Sequence, residues 1–156
     1  MKSNLVIFLT FFIVSCKSSS DISFVVESIN NCSEGSNQIE VDEKAYFDEK
    51  SKSLIIYIGE NYNQSLQKWI IPLSELNPEN VSYQNNDFPQ VATTIPNGLK
   101  KIKYYQNEIE NDSLNQFVYN VHDYCMDKKS IEKFIQHYRN GIRKIEEWLQ
   151  ITAILS

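Results

Sequence analysis

The spacing of apolar residues changes along this chain, and each change predicts a different element. Leu5 to Val14 is an apolar run of ten residues interrupted only by Thr10. From Asp21 onward, Ile22, Val25, Val26 and Ile29 recur at helical spacing, predicting a short helix capped by Ser20 or Asp21 and ending near Cys32. Beyond the turn residues Ser33 to Asn37 the period drops to two. Val41 to Phe47 and Ser53 to Ile58 predict strands joined through Asp48 to Lys52. The second run, apolar at Leu54, Ile55, Ile56 and Ile58, predicts a central strand covered on both faces. Leu66 to Leu73 predicts a strand ending at Pro72, which has no amide proton for a ladder.

Asn77-Pro78 marks a turn, and Val81 to Gln84 predicts a short strand after it. Val91 to Ile95 and Leu99 to Gln106 predict one hairpin about Pro96-Asn97-Gly98. Asn107 to Asn115, with three acidic residues and three Asn, predicts a solvated loop, and Phe117 to His122 a last strand. The period then returns to helical. Ile131, Phe134, Ile135, Tyr138, Ile142, Ile145, Trp148 and Leu149 form one stripe of an amphipathic helix of about twenty residues. Ser130 is placed to cap it, with Asp127 just upstream. Gly141 inside the helix costs about 1 kcal/mol relative to Ala, so either the backbone packs closely there or the helix bends.

These elements predict a single α+β domain over residues 22–156, in which a bent antiparallel sheet of six or seven strands follows a short helix and is covered by the C-terminal one. The order of elements from Val41 to Leu149 resembles the pleckstrin-homology-like architecture. That resemblance implies a bent sheet plugged by its last helix.

The first apolar run changes where the domain is expected to live. Lys2, a short apolar core and a small residue before Cys16 make the pattern of a secretory signal, well short of the ~20 residues a membrane-spanning helix needs. Ile13-Val14-Ser15-Cys16 resembles the lipobox of bacterial lipoproteins. The resemblance implies removal of residues 1–15, a diacylglyceryl group on Cys16 and acylation of the new amino terminus with a palmitate-type chain. Lys17 to Asp21 becomes a polar tether, so residues 16–21 form the anchor and its spacer. Two or three acyl chains hold a protein on a bilayer without a spanning helix. The expected location is the bacterial cell envelope, the outer membrane before the inner.

With Cys16 assigned to lipid, Cys32 and Cys125 remain as an even pair in an oxidising compartment. A disulfide between them is expected, the alternative being two buried thiols. The chain after Ser15 holds 14 basic and 20 acidic residues, a formal charge of −6, which disfavours nucleic acid as a partner. No cofactor or metal is called for: neither cysteine has zinc or redox spacing, and four glycines make no phosphate-cradling loop. His122 and Asp123 are adjacent on a strand and point to opposite faces, so they do not orient each other, and His137 is expected on a solvated helix face with Arg139, Arg143 and Lys144. Trp69, Tyr57, Tyr62, Tyr83, Tyr104 and Tyr105 are more suggestive, since Tyr and Trp are enriched at protein interfaces. The leading expectation is a non-enzymatic binding or assembly module for another envelope protein. The second is a protective, immunity-type inhibitor using acidic residues such as Glu108 to Asp112, and a hydrolase built on His122 ranks last.

Overall fold

Helix α1, residues 20–32, lies antiparallel to a second helix, α2 (Lys128–Leu155), and together they cover one face of a bent sheet. The computed structural model describes residues 20–32, 41–60, 65–85, 89–121 and 125–155. The signal run, Cys16, the tether to Ser19, Tyr62 and the His122-Asp123 pair lie outside the described residues. The described residues hold eight strands, β1 (Val41–Asp48), β2 (Ser53–Glu60), β3 (Ser65–Pro72), β4 (Val81–Asn85), β5 (Pro89–Thr94), β6 (Ile102–Gln106), β7 (Ile109–Leu114) and β8 (Gln116–Asn120). The α+β class, the antiparallel pairing and the covering C-terminal helix are as expected.

Pairing order is β1-β2-β3-β6-β7 in one sheet and β4-β5-β8 in the other. The two sheets exchange the chain three times, from β3 to β4, from β5 to β6 and from β7 to β8. β6 and β5 pair in turn with β7 and β8, while β3 and β4 flank them on the other side. The result is a meander bent across its middle, with breaks at 73–80, 95–101 and Asn115. At the bend the Ile95 amide donates to the Asn115 carbonyl at 2.7 Å, joining two of the breaks.

Two sequence expectations fail at this bend. β5 and β6 are not a hairpin: each pairs with other strands, and Pro96–Gly98 is a single 3-10 turn passing the chain from one sheet to the other. Asn97 (φ 59°) and Gly98 (φ 68°) supply its left-handed backbone. Nor is Asn107 to Asn115 a loop, because Ile109–Leu114 is β7. Its hairpin turn is Asn107-Glu108, both with positive φ (49° and 67°), so the tight turn forms without the glycine that would have announced it. The Asn107 side-chain oxygen accepts from the Leu66 amide at 3.0 Å, and the Asn107 backbone amide donates to the Leu66 carbonyl at 2.8 Å, tying the turn to β3.

Alternation decides what each strand contributes. Ala45, Leu54, Ile56, Ile71, Ile102, Phe117 and Tyr119 point inward onto Ile22, Val25 and Ile29 of α1 and Phe134, Tyr138 and Ile142 of α2. β2 is an interior strand, as expected, and Ile55 on its other face is also buried, but among the described residues the helices pack on the inner face only. The last helix is longer than expected, 28 residues, and its cap is Asp127 rather than Ser130. The Ser130 amide donates to Asp127 Oδ1 at 2.8 Å, and the Ser130 side chain first, then this amide, hold that carboxyl below its ordinary value. Gly141 is where the helices touch: a Cβ there would overlap Ile22 Cδ1 and stand 2.7 Å from Ile22 Cγ1. Close packing of the backbone accounts for the glycine.

Cys32 ends α1 and Cys125 precedes α2, and the fold brings them to disulfide distance, with Cα atoms 5.3 Å apart across 93 residues of chain. The pair joins the first helix to the corner between β8 and α2.

Candidate binding face

The outward side chains of the five-stranded sheet form a continuous row that no single stretch of sequence displays. Registers place Lys44, Tyr57, Lys68, Tyr105 and Glu110 side by side across β1, β2, β3, β6 and β7. Cation, ring, cation, ring and anion alternate. Lys68 Nζ lies 5.6 Å from the Tyr57 ring centroid and 5.5 Å from that of Tyr105, a cation held between two aromatic faces. Tyr105 donates to Glu110 Oε2 at 2.8 Å, and Lys103 Nζ stands 3.6 Å from the same oxygen. That hydrogen bond pushes the Tyr105 hydroxyl pKa up.

The next row runs Tyr46, Ile55, Ile70 and Lys103. Ile55 is 7% exposed although it faces away from the core, because the Tyr46 and Ile70 side chains flank it. Tyr46 stacks on Tyr57 with centroids 6.0 Å apart and hydroxyls 3.5 Å apart. The Tyr57 hydroxyl, then burial, push Tyr46 up to about 12. The face thus combines an apolar centre, three tyrosines and charges of both signs at its margins. That combination suits a protein surface better than a small polar ligand.

Two sheet margins are each engaged at one residue from within. Asn30 of α1 accepts from the Ala45 amide at 2.7 Å and donates to the Ala45 carbonyl at 3.1 Å, occupying edge strand β1 at its centre. Arg139 of α2 donates twice to the Val81 carbonyl, at 3.0 and 2.7 Å, where edge strand β4 begins. Ala45, with amide and carbonyl both taken, cannot pair with a further strand at that point. The margin along β7 carries Glu110 and Asp112, with Ile109 72% exposed beside the turn.

Between the helices, Asp21 is a buried carboxylate. His137 Nδ1 lies 2.6 Å from its Oδ1, and Lys144 pairs with its Oδ2. Burial pushes the Asp21 pKa up, but the hydrogen bonds and charges of Lys144 and His137 outweigh it and hold the carboxyl below its ordinary value. His137 also stacks on Phe24 at 4.2 Å, so it is fixed in the helix seam instead of sitting on a solvated surface. The expected basic patch is likewise consumed: Arg139 caps Val81, Arg143 pairs with Glu79 at 2.5 Å and Lys144 holds Asp21.

A cleft of about 440 Å³ lies beside the cysteine pair, lined in part by Phe24, Ser28, Cys32, Cys125, Ser130 and Lys133. Lys133 is drawn over the Phe24 ring at 4.6 Å. Deeper in the core, the buried Tyr138 hydroxyl and Thr93 Oγ1 lack a partner of good hydrogen-bond geometry among the described residues, although Thr93 is near enough to moderate the rise that burial imposes on Tyr138. Among the described residues, no three of His, Cys, Asp and Glu are grouped so as to hold a metal ion.

Of the aromatic residues singled out in the sequence, Tyr57 and Tyr105 stand on the outer face and Tyr83 is exposed on β4. Trp69 instead packs against the core beside Tyr104 and Phe117, at 4.5 and 5.1 Å. Lys44, Lys68 and Glu110 belong to the face as much as the tyrosines do, and only the registers of four consecutive pairings place them there. Compared with known proteins, the chain matches no family model, no curated protein and no solved structure.

Proposed function

We propose that this chain is a bacterial envelope lipoprotein, anchored through lipid on Cys16, whose domain is a non-enzymatic module that binds another envelope protein. The observation that supports this reading is the outer face of the five-stranded sheet, where Tyr46, Tyr57 and Tyr105 surround Ile55 and Ile70 among Lys68, Lys103 and Glu110. Tyrosines present large contact area with little conformational freedom to lose, and an apolar centre inside a polar rim is how binding surfaces are built. Side chains seated on the backbone of edge strands β1 and β4 count against strand addition at those two margins and so favour recognition by the face. The cysteine pair at disulfide distance suits an oxidising compartment.

A protective inhibitor is the second reading, favoured by the β6–β7 turn, where exposed Ile109 stands beside Glu108, Glu110 and Asp112. An acidic hairpin with an apolar tip fits a basic active-site cleft. Photocrosslinking in intact cells separates the two. A photoreactive residue in place of Lys68 is expected to give one discrete protein adduct, and the same residue in place of Glu132, exposed on α2, none. Capture from position 109 but not 68 favours the inhibitor. Equal capture from 68 and 132 removes the binding face.

A further inference from the structure

The terminal turns of α2 reach past the rest of the helix layer, and they do so at the end from which the anchor departs. Successive contacts fix the antiparallel alignment of the helices. Phe24 meets His137 and Lys133, Ile22 meets Gly141, and Asp21 pairs with Lys144. Ser20, the first described residue of α1, therefore stands at the level of Ile145. From there α2 continues ten residues to Leu155, about 15 Å along its axis at the usual rise. Four peptide links separate Ser20 from Cys16, and whatever path they take they span at most about 14 Å.

These two lengths constrain each other. With acyl chains on Cys16 the bilayer lies within that tether's reach of the α1 terminus, and the end of α2 projects as far from the same level. The chemistry of that end fits a bilayer surface. Glu146 and Glu147 are its last charged residues, and Trp148 to Leu155 carries none. Ile154 and Leu155 are 83% and 66% exposed, with Leu149 and Ile151 more than a third exposed. The Thr152 hydroxyl donates back to the Trp148 and Leu149 carbonyls at 3.1 and 2.9 Å, so this polar atom is satisfied within the helix. Trp148 carries Lys52 Nζ over its ring at 4.9 Å, an aromatic and a cation of the kinds that settle at the headgroup level. Among the described residues no helix is long and apolar enough to cross a membrane, which leaves shallow seating.

We propose that the end of α2, from Trp148 to Leu155, seats in the interfacial layer of the bilayer that carries the Cys16 lipid. The inference rests on lipidation of Cys16. Two points of attachment, lipid and helix end, fix the orientation of the domain and turn the sheet's outer face to a constant direction.

The test uses the mature lipidated protein floated with vesicles of phosphatidylethanolamine and phosphatidylglycerol containing bromolipids, with the mass of the amino-terminal peptide measured on the same sample. Bromines near the headgroups are expected to quench Trp148 and spare Trp69, which packs against the sheet core. A variant with Ile154→Asp and Leu155→Asp, both at exposed positions, is expected to float equally well and lose that quenching. Flotation with acylated Cys16 but no quenching of Trp148 overturns the seating and leaves the anchor standing. An unmodified Cys16 with no flotation overturns the anchor, and the seating with it. Self-association of the lipidated protein that the double substitution abolishes, with Trp148 unquenched, assigns the helix end to a second copy and overturns the proposal.

Discussion

Ile55 and Ile56 are neighbours on β2 with nearly the same burial, 7% and 1% exposed, yet they belong to different parts of the molecule. Ile56 points inward, where α1 and α2 close over it, and lines a core cavity of about 10 Å³ together with Ile29, Phe134 and Tyr138. Ile55 points outward and is screened by Tyr46 and Ile70, side chains on the open face of the same sheet. Burial alone does not distinguish them. The inner face is enclosed by whole elements that cannot shift independently, whereas the outer face is covered by side chains a binding partner can displace.

Truncation is the most forceful way to break this comparison. Ile56→Ala enlarges an enclosed cavity and is expected to cost about 3–5 kcal/mol, the upper part of the range for buried aliphatics. Ile55→Ala opens a site that Tyr46 and water can fill, with an expected cost of about 1–2 kcal/mol, near or below the bottom of that range. Urea unfolding of the two variants measures the difference directly. Equal losses would mean that the outer row is as much structural core as the inner one, leaving no face free to bind.

Charge sharpens the same contrast on the covered side. Asp21 is held below its ordinary pKa in the helix seam by Lys144 and His137. A carboxyl depressed in the folded state contributes stability that is fully present above its unfolded pKa, about 4, and is lost as pH falls through the lower folded value. Asp21→Asn is therefore expected to lower stability by on the order of 1 kcal/mol above pH 5. The gap between variant and parent should close in the acid range below about pH 4. A gap independent of pH would show that the carboxylate charge does not stabilise the seam.

What could be read from the chain follows from how local each cause is. The two helices and strands β1 to β3 come from apolar spacing within single segments, and the pairing of Cys32 with Cys125 from their being the two cysteines left after Cys16. The bend is different. Pro96-Asn97-Gly98 carries the chemistry of a hairpin turn, but β5 and β6 are claimed by different partners, a tertiary effect that overrides the local signal. β7 was hidden for the opposite reason: Ile109 to Leu114 is polar because it lies at an exposed margin, and its turn uses Asn107 and Glu108 where glycine is usual. His137 reads as a surface residue because its partner, Asp21, is 116 positions away. The row on the open face was out of reach on the same ground, since Lys68 faces Tyr57 and Tyr105 only once three strands are in register. Tyr57 and Tyr105 stand out in the sequence all the same, whereas Tyr46 joins them only through its register with Ile55.

The smallest expected effect tests the open face most selectively. Tyr57→Phe keeps the ring that stacks on Tyr46 and lies near Lys68 but removes the hydroxyl 3.5 Å from that of Tyr46. That hydroxyl is the first cause of the rise of Tyr46 to about 12, so without it Tyr46 is expected to titrate closer to 10. Ring-carbon NMR of labelled tyrosine follows this residue among the nine tyrosines of the chain. A tyrosine whose pKa is raised by folding stabilises below its unfolded value near 10, and that contribution fades as pH climbs through the folded value. The variant should therefore show a weaker decline of stability in alkali than the parent. At neutral pH the two are expected to agree within about 0.5 kcal/mol, as for a surface substitution that leaves packing intact. Loss of a full kcal/mol or more there would mean that the Tyr46–Tyr57 pair holds the sheet together, and the distinction between a face that folds and a face that binds would have to be drawn elsewhere.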